Sequence, residues 1–200
     1  MTLWDDILAA GPQLRLDSDC DYVAEHARRE AFRRTYAYAV PSQEAIQRII
    51  AFADGPIVEI GAGRGLWAHL IQLAGGEVRP TDMAVEGRNM LRDNHYAHLR
   101  EGEAWTHIER MDAVTAAANA PEPTLMTVWP AYEDEWAYRA LLAFRGARVV
   151  YVGEGYGGCT ADDAFHNELG SIWELADEVS IPQWDCLHDS LFLYSRKEAR

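Results

Sequence analysis

The sequence has no long apolar run and no basic, apolar leader at its start. It lacks a stretch of about 18 consecutive apolar residues, the length that a membrane-spanning helix needs. The first residues, MTLWDD, include neither the basic region nor the apolar core of a secretory signal peptide. Hydrophobic residues make up 48% of the 200 residues, as in ordinary globular proteins. The sequence therefore predicts a cytoplasmic globular protein without membrane association.

Cysteine is scarce. The three cysteines, Cys20, Cys159 and Cys186, are widely spaced, and none belongs to a C-x-x-C pair. An odd number at such spacing favours free thiols in a reducing compartment over a disulfide framework. It also supplies no ligand set typical of a zinc site, so we expect no metal.

Basic residues are few as well. Lys and Arg total 18 against 32 Asp and Glu, which gives a net charge of −14. A surface this acidic repels phosphate backbones, so binding to a nucleic-acid polymer would need a local basic patch. The pairs Arg28-Arg29 and Arg33-Arg34 come nearest to one, but they share a predicted helix with Glu25 and Glu30. We therefore expect no nucleic-acid polymer as a partner.

The order of predicted elements indicates one α/β domain over residues 1–200. Residues 1–53 read as helical, with one helix at 19–34 and another capped by Ser42. From residue 54 onward strands and helices alternate, which is typical of a parallel sheet covered by helices on both faces. Strands are predicted at 57–60, 77–82, 105–111, 124–129, 147–152, 178–184 and 190–194, and helices at 66–74, 113–120, 133–144 and 161–175.

Three details of this pattern can be tested separately. The last two strands are close enough in sequence to pair antiparallel. Pro80 cannot donate to a central ladder, so the second strand should be short or irregular near its end. Residues 83–103 are polar and weakly periodic, which predicts a loop with a helical turn or more.

A glycine-rich turn, Gly61-Ala62-Gly63-Arg64-Gly65, follows the first predicted strand. The β-branched run Ile57–Ile60 before it is typical of a buried parallel strand, and a helix begins after it at Leu66. Glycines let the backbone turn sharply and let a ligand approach, while N–H groups at a helix start face the turn. The stretch predicts a ligand-binding loop, although an ordinary strand–helix turn would share these glycines.

The spacing of the glycines distinguishes between two classes of ligand. A dinucleotide-binding loop has the pattern G-x-G-x-x-G, and Leu66 stands where its third glycine belongs. The pattern is instead E-x-G-x-G-x-G, with Glu59 two residues before Gly61. A carboxylate there would repel a pyrophosphate but suits an ammonium group.

Two more acids end the next two predicted strands. Asp82 lies 23 positions after Glu59, and an acid about that far along is placed to accept hydrogen bonds from ribose hydroxyls. Asp112, followed by Ala113, ends the third strand. Either aspartate could instead cap the helix after it. Ligands of parallel sheets bind beyond the carboxyl ends of the strands, so three acids there predict a binding site.

These motifs resemble those of the class I (Rossmann-like) S-adenosylmethionine (SAM)-dependent methyltransferases over residues 36–195. G-A-G-R-G-x-W, W-P-A-Y and G-E-x-x-G-G-C-T are similar to a poorly characterised branch of that family. The resemblance implies a seven-stranded, mostly parallel, doubly wound sheet whose last strand runs against the others. It also implies SAM as the cofactor and a lid formed by residues 1–53 with Tyr36 and Tyr38.

The resemblance further implies a set of cofactor-binding residues. The glycine loop would wrap the methionine part of SAM, Asp82 would bind the ribose, and Asp112-Ala113 would meet the adenine. The whole set comprises Glu59, Gly61, Ala62, Gly63, Gly65, Trp67, Asp82, Met83, Met111, Asp112, Ala113, Trp129, Pro130, Tyr36 and Tyr38.

The end of the fourth strand resembles half of a second motif. Amino-group methyltransferases carry Asp/Asn/Ser-Pro-Pro-aromatic there, and this chain keeps Pro130 and Tyr132. It departs at Trp129, whose indole can only donate a hydrogen bond, and at Ala131. The departures put adenine or glutamine N-methylation in doubt, and a proline-containing loop with a core tryptophan would look the same.

The end of the fifth strand places Glu154 among four glycines, where it could orient or deprotonate an acceptor. A flexible surface turn is the alternative. His188-Asp189, before the last strand, is another possible base and more often a turn. We predict Glu154 and Tyr132 as catalytic residues, and an apolar, aromatic pocket suited to a small-molecule acceptor.

Two other functions fit parts of the sequence. A non-catalytic protein that binds SAM or a nucleotide would explain Trp129 and Ala131. A nicotinamide oxidoreductase is disfavoured by Leu66 and Glu59.

Overall fold

The structure, a computed structural model, describes residues 2–12, 22–83 and 103–198. The helices of this part are α1 (Leu3–Ala10), α2 (Tyr22–Thr35), α3 (Gln43–Phe52), α4 (Leu66–Leu73), α5 (Ala113–Ala118), α6 (Trp136–Ala143) and α7 (Asp163–Ile172). The strands are β1 (Ile57–Ile60), β2 (Val78–Asp82), β3 (Glu109–Arg110), β4 (Thr124–Val128), β5 (Arg148–Gly153), β6 (Trp173–Ser180) and β7 (Ser190–Arg196).

The described strands form one seven-stranded sheet in the order β3-β2-β1-β4-β5-β7-β6. Strands β1 to β5 pair in parallel, and β7 lies antiparallel between β5 and β6. The predicted mostly parallel sheet, closed by an antiparallel pair, is confirmed. Because β2 and β4 flank β1 on opposite sides, the strand order reverses at β1, the place where ligands of such sheets bind.

Helices cover both faces of the sheet, as predicted for a doubly wound fold. On one face, the core includes Ile7 of α1, Phe32 of α2, Ile46 of α3 and Leu70 of α4. On the other face, α5, α6 and α7 contribute Ala117, Leu141 and Phe165 among others. Burial of these apolar side chains is the main stabilising term of the fold.

Short polar side chains set where several helices begin. Ser42 caps α3 as predicted, because its Oγ accepts from the Ala45 backbone N–H at 3.1 Å. Asp162 caps α7 in the same way, through the Phe165 N–H at 2.8 Å. The predicted helix at 19–34 is α2, and its residues 19–21 lie outside the described part.

The prediction for the third strand was too long. It spanned 105–111, but only Glu109–Arg110 pairs with β2. The ring of Trp105 stacks on Tyr36 at 5.9 Å, and its backbone N–H donates to the Arg64 oxygen, so this segment is drawn away from the sheet.

The predicted boundary between the last helix, α7, and the strand after it, β6, was also wrong. The predicted helix ran to Leu175 and the predicted strand covered 178–184, whereas β6 begins at Trp173. Trp173 is buried with its ring 6.4 Å from Phe144 and 4.2 Å from the Arg196 guanidinium. This packing holds residues 173–175 in the sheet despite their helical pattern.

Pro80 does not end strand β2, but it cannot donate a hydrogen bond to the neighbouring strand β3. β2 continues to Asp82, and its residues 78–81 pair with β1. The Asp82 carbonyl accepts from Met111 N–H, so the backbone of Pro80, two residues earlier, also faces β3. The missing N–H therefore falls on the side where β3 is only two residues long. The loop expected at 83–103 lies, apart from its end residues, outside the described part.

Candidate functional site

The glycine turn joins β1 to α4 at the point where the strand order reverses. Gly61, Gly63 and Gly65 have φ of 65°, 61° and 76°, which only glycine adopts without strain. A Cβ on Gly61 would lie 2.7 Å from the Trp136 ring, whereas a Cβ on Gly63 would meet no atom within 4 Å. The loop is therefore closed at Gly61 and open at Gly63, where a ligand can lie against the backbone.

Glu59 lies beneath this loop and is fully buried, with a relative exposure of 1%. Its Oε2 atom is buried without a hydrogen-bond partner. Burial, reinforced by the charge of Asp82 and opposed by the Ala68 backbone N–H, raises the pKa of Glu59 from 4.5 to about 8. A cation delivered to this site would satisfy the carboxylate and lower that pKa.

Asp82 and Asp112 stand at the ends of β2 and β3. Asp82 Oδ2 accepts from the Gly63 backbone N–H at 2.8 Å, so this carboxylate shapes the loop itself. Asp112 caps α5 through the Thr115 N–H at 2.9 Å. Its hydrogen bonds to Thr115 keep the pKa of Asp112 below its ordinary value. Both acids thus have structural contacts, and their contacts with a cofactor stay predictions.

Three other predicted cofactor contacts adjoin these acids in sequence, and a fourth, Trp67, lies on α4. Met83, Met111 and Ala113 are half-buried next to them. Trp67 is buried in the core, with its indole N–H 3.3 Å from the Ala39 oxygen. That bond fastens the segment after α2 to α4, and a direct contact of Trp67 with a cofactor stays a prediction.

Arg64, inside the glycine turn, ties the loop to the end of α2. Its Nη1 donates to the main-chain oxygens of Arg34 and Thr35 at 2.9 and 2.7 Å. Its Nε and Nη2 both donate to the Glu103 oxygen. A cation is favourable at the carboxyl end of a helix, where carbonyls are unpaired. No local sequence pattern marks Arg64 as a site residue, because its partners are distant main-chain oxygens.

Arg64→Ala should therefore lower the melting temperature, since four hydrogen bonds from a charged group disappear. We expect a loss of about 1–2 kcal/mol, or about 2–8 °C by thermal unfolding. Arg64→Lys should recover only part, because lysine lacks the planar fork. The matched control is Arg139→Ala, which breaks an exposed pair with Glu135 and should change stability by less than about 0.5 kcal/mol. Equal melting temperatures for Arg64→Ala and the control would contradict the proposal that Arg64 stabilises the glycine turn against α2.

A second group of side chains meets at the ends of β4 and β5, and we call Arg29, Arg33, Tyr38, Trp129 and Asp189 the Trp129 cluster. Tyr38 and Trp129 stack at 4.9 Å. The guanidinium of Arg33 lies 4.3 Å from the Tyr38 ring and that of Arg29 5.9 Å from Trp129. The Trp129 indole donates to Asp189 Oδ1 at 2.8 Å. The structure thus brings predicted Tyr38 and Trp129 together, and Tyr36 joins Trp105 nearby.

Backbone strain gathers at the same edge of the sheet. In the described ranges, the non-glycine residues with positive φ are Trp129, Glu133, Ala161 and Cys186. Hydrogen bonds between the loops after β4 and β5 hold Glu133 and Ala161, with Pro130 O accepting from Ala161 N and Ala161 O from Glu133 N. The Trp129 N–H donates to the Val152 oxygen in β5. Each such conformation costs on the order of 1–3 kcal/mol and is found most often at functional sites.

Glu154 holds two loops of this edge together. Its Oε2 accepts from Cys159 N at 2.7 Å and its Oε1 from His188 N at 2.8 Å, and the residue is buried. Burial alone would raise the pKa of Glu154, but the hydrogen bonds of Cys159 and His188 outweigh it and hold the pKa below its ordinary value. A carboxylate with both oxygens engaged is a weaker base. The contacts favour a positioning role, and the catalytic role of Glu154 stays a prediction.

The loops after β4 and β5 also carry Tyr132 and Cys159. Tyr132 is 51% exposed, and in the described part of the chain no ring stacks on it. Its role as a catalytic residue stays a prediction. Burial, with a contribution from Glu154, raises the pKa of the Cys159 thiol to about 12, which favours the thiol over the nucleophilic thiolate.

Asp189, at the same edge of the sheet, belongs to the pair His188-Asp189 that the sequence offers as another possible base besides Glu154. It is 1% exposed, and its Oδ2 is buried without a partner. The local sequence His188-Asp189 reads as a turn, and its bond to Trp129 spans 60 residues. Only the fold reveals that Asp189 faces the end of β4.

Two of the arginines on the basic face of α2 pair with glutamates of the same helix. Arg28 lies 3.6 Å from Glu25, and Arg33 lies 2.5 Å from Glu30. Among the described helices, none is long and apolar enough to cross a membrane. The residues that the structure describes contain no group of three or more His, Cys, Asp or Glu that could hold a metal ion.

No family model and no curated protein matches the sequence. Solved structures do match. The magnesium protoporphyrin IX methyltransferase of Synechocystis PCC 6803, solved with SAM, is 11% identical with a TM-score of 0.52, over 98% of this chain and 92% of that one. The Burkholderia thailandensis 1,6-didemethyltoxoflavin-N1-methyltransferase is 15% identical with a TM-score of 0.52, over 94% of each chain.

A structure from work on the conversion of a disulfide bond into a thioacetal group during echinomycin biosynthesis is 14% identical, with a TM-score of 0.51 over 86% of this chain and 92% of that one. At such low identities the likeness concerns the fold. With the strand order β3-β2-β1-β4-β5-β7-β6, these matches show that the chain has the fold of the class I SAM-dependent methyltransferases.

Proposed function

We propose that the protein is a SAM-dependent methyltransferase that acts on a small-molecule acceptor. The observation that carries the proposal is the unpartnered, buried Oε2 of Glu59 beneath an open glycine loop at the strand-order reversal. A buried carboxylate oxygen without a donor calls for a cation, and the ammonium of SAM is one. Two of the similar structures were solved with SAM or S-adenosylhomocysteine bound.

The residues of the site fit this cofactor. The loop Gly61–Gly65 and Glu59 would hold the methionine part, with its backbone lying in the space that Gly63 leaves open. Asp82 and Met83 would hold the ribose, and Met111 with Asp112-Ala113 the adenine. Trp129 and Pro130 would line the reactive end, and Tyr36 and Tyr38 would cover it.

SAM, when bound, supplies a methyl group on a positively charged sulfur. The chain's own task is to hold the acceptor in line with that methyl group and to exclude water. Arg64 fixes the loop to α2, and the Tyr38–Trp129 stack forms a flat apolar wall at the ends of β4 and β5. Both contacts keep the site in one geometry.

A small acceptor agrees with charge and shape. The net charge of −14 and the internal pairing of Arg28 and Arg33 leave little attraction for a polyanion. Two similar proteins methylate small molecules according to their names, the porphyrin and toxoflavin enzymes. A non-catalytic SAM-binding protein is the alternative, because Trp129 replaces a hydrogen-bond acceptor of the family motif.

Calorimetric titration tests the cofactor. We expect the protein to bind SAM or S-adenosylhomocysteine and not NAD. Asp82→Ala should weaken SAM binding by about 1.5–3 kcal/mol, roughly 10- to 150-fold. Asp82→Asn is the matched variant, because its side-chain oxygen can still accept from Gly63 N and preserve the loop, so any remaining loss reports the charge. Tight NAD binding without SAM binding would refute the proposal.

A further inference from the structure

We propose that Asp189, oriented by the Trp129 indole, is the group that binds the acceptor's N–H or O–H and takes its proton. The acceptor is then a small molecule with such a donor, and with an oxygen beside it that meets Arg29. This inference rests on the proposed methyltransferase function and deepens it by naming the acceptor class.

The position of the carboxylate is the first argument. Asp189 immediately precedes β7, at the edge where β4 and β5 end, and only 1% of it is exposed. Oδ1 accepts from Trp129 Nε1 at 2.8 Å, which fixes the carboxylate plane. Oδ2 is buried and has no donor. A buried, unsatisfied carboxylate oxygen is costly, and a ligand donor would remove that cost.

A second unsatisfied group lies near the Trp129 ring. The guanidinium of Arg29 is 5.9 Å from that ring, and its Nε is buried without a partner. Among the described residues, no carboxylate lies within salt-bridge distance of Arg29. Arg29 and Asp189 thus offer one free donor and one free acceptor near a single flat ring. A molecule with a donor and an oxygen side by side satisfies both.

The backbone supports the same assignment. Trp129 has φ of 53°, which is unusual for a bulky residue, and its N–H donates to Val152 O at 2.7 Å. The residue in this unusual conformation is the one whose indole donates to Asp189. Strain of this kind persists where the surroundings fix a geometry for function.

The charges around Asp189 suit a proton acceptor. Burial raises the pKa of Asp189 to about 6; Glu154 at the end of β5 adds to the rise, while the Trp129 bond, Arg29 on α2 and the neighbouring His188 oppose it. The group is therefore ionised at neutral pH yet more basic than an ordinary carboxylate.

The proton balance of the step is simple. A lone pair of the acceptor's nitrogen or oxygen forms the bond to the methyl carbon, and the methyl–sulfur bond breaks with its electron pair left on sulfur. The acceptor's proton passes to Asp189 Oδ2 and then to solvent. The products are the methylated acceptor and S-adenosylhomocysteine, and no oxidant or metal is required.

Binding of small probes tests the proposal without relying on turnover. The protein is saturated with S-adenosylhomocysteine and titrated with 2-pyridone, uracil, imidazole and phenol, and with N-methyl-2-pyridone and anisole, which lack the donor. At least one donor-bearing probe should bind, at least about tenfold more tightly than its methylated analogue or than to Asp189→Asn. Asp163→Asn, an exposed acid at the start of α7, should bind probes like the wild type. Equal binding by probe and methylated analogue, or no loss in Asp189→Asn, would overturn the proposal.

The probe that binds best then serves as acceptor with SAM. Asp189→Asn should lower turnover by about 10²–10⁴-fold and remove the fall in rate below a pH of about 6. Trp129→Phe keeps the ring but not the N–H, so it should move that fall to higher pH. An unchanged pH profile in both variants would refute the assignment. If S-adenosylhomocysteine itself does not bind, the proposed function fails instead, and probe binding to the cofactor-free protein still judges Asp189.

Discussion

Glu59→Gln is expected to make the protein more stable at about pH 9, although the replaced residue lies at the centre of the sheet. The wild-type carboxyl is buried with an unpartnered Oε2, and burial together with Asp82 raises its pKa to about 8. Glutamine has nearly the same shape and carries no charge. The variant therefore keeps the packing and avoids ionisation in a dry environment.

The sign of the pH dependence follows from proton linkage. Between an unfolded pKa of 4.5 and a folded pKa of about 8, the folded chain binds more protons than the unfolded chain at Glu59. The contribution of this residue to stability therefore falls as pH rises through that window. Each pKa unit is worth about 1.4 kcal/mol, so the advantage of Glu59→Gln should grow from about zero near pH 5 to about 1–3 kcal/mol near pH 9.

Urea unfolding at several pH values measures the effect. Asp112→Asn is the matched control at a neighbouring strand end, because asparagine caps a helix about as well as aspartate. Since the pKa of Asp112 is lowered, the difference in unfolding free energy between this variant and wild type should not change with pH above about pH 5. A Glu59→Gln protein that is less stable than wild type by a constant amount across this range would mean that the carboxylate is ionised and satisfied.

The same variant separates the ligand role of Glu59 from its burial. If the carboxylate meets the ammonium of SAM, Glu59→Gln should lose cofactor affinity while gaining stability, because an amide does not pair with a cation as a carboxylate does. Stability and affinity would then change in opposite directions, a result that general unfolding cannot produce.

Local sequence patterns were enough to predict the sheet and to place three acids near its strand ends. The β-branched run at β1, the glycine turn and the alternation that follows fix the positions of Glu59, Asp82 and Asp112 at successive strand ends. Each pattern depends on residues within a few positions of one another. The same locality explains why the cap at Ser42 could be placed.

Contacts between residues far apart in sequence leave no such local pattern. Arg64 binds main-chain oxygens that any residue could supply, and the Trp129–Asp189 bond joins residues 60 positions apart. Trp173 reads as part of a helix by periodicity, yet packing against Phe144 and Arg196 places it in β6. Tertiary packing overrides local preference in such cases. The glycines around Glu154 mark it in the sequence, whereas one of the two contacts of its carboxylate, that with His188, comes from another loop 34 residues away.

Glu154→Gln should lower stability markedly, because both carboxylate oxygens accept backbone N–H groups. Glutamine offers one oxygen and one NH₂ group, so either Cys159 N or His188 N loses its acceptor and faces another donor. An unsatisfied buried donor costs about 1–3 kcal/mol, which corresponds to about 2–12 °C in melting temperature. Glu174→Gln, on the exposed side of β6, is the matched control, with an expected change of less than about 0.5 kcal/mol.

The pH dependence distinguishes a loop-holding carboxylate from a base. Because the folded pKa of Glu154 is depressed, its contribution to stability is present above the ordinary value of 4.5 and is lost as pH falls through the folded pKa. The gap between wild type and Glu154→Gln should therefore be constant near neutral pH and narrow in acid. A folded Glu154→Gln protein that melts like wild type, yet has lost about 10²–10⁴-fold in turnover with a wild-type affinity for SAM, would instead establish Glu154 as the catalytic base. The two roles are incompatible for one carboxylate. A base needs an oxygen that is free to bind the acceptor, whereas both oxygens of Glu154 already accept hydrogen bonds from backbone N–H groups.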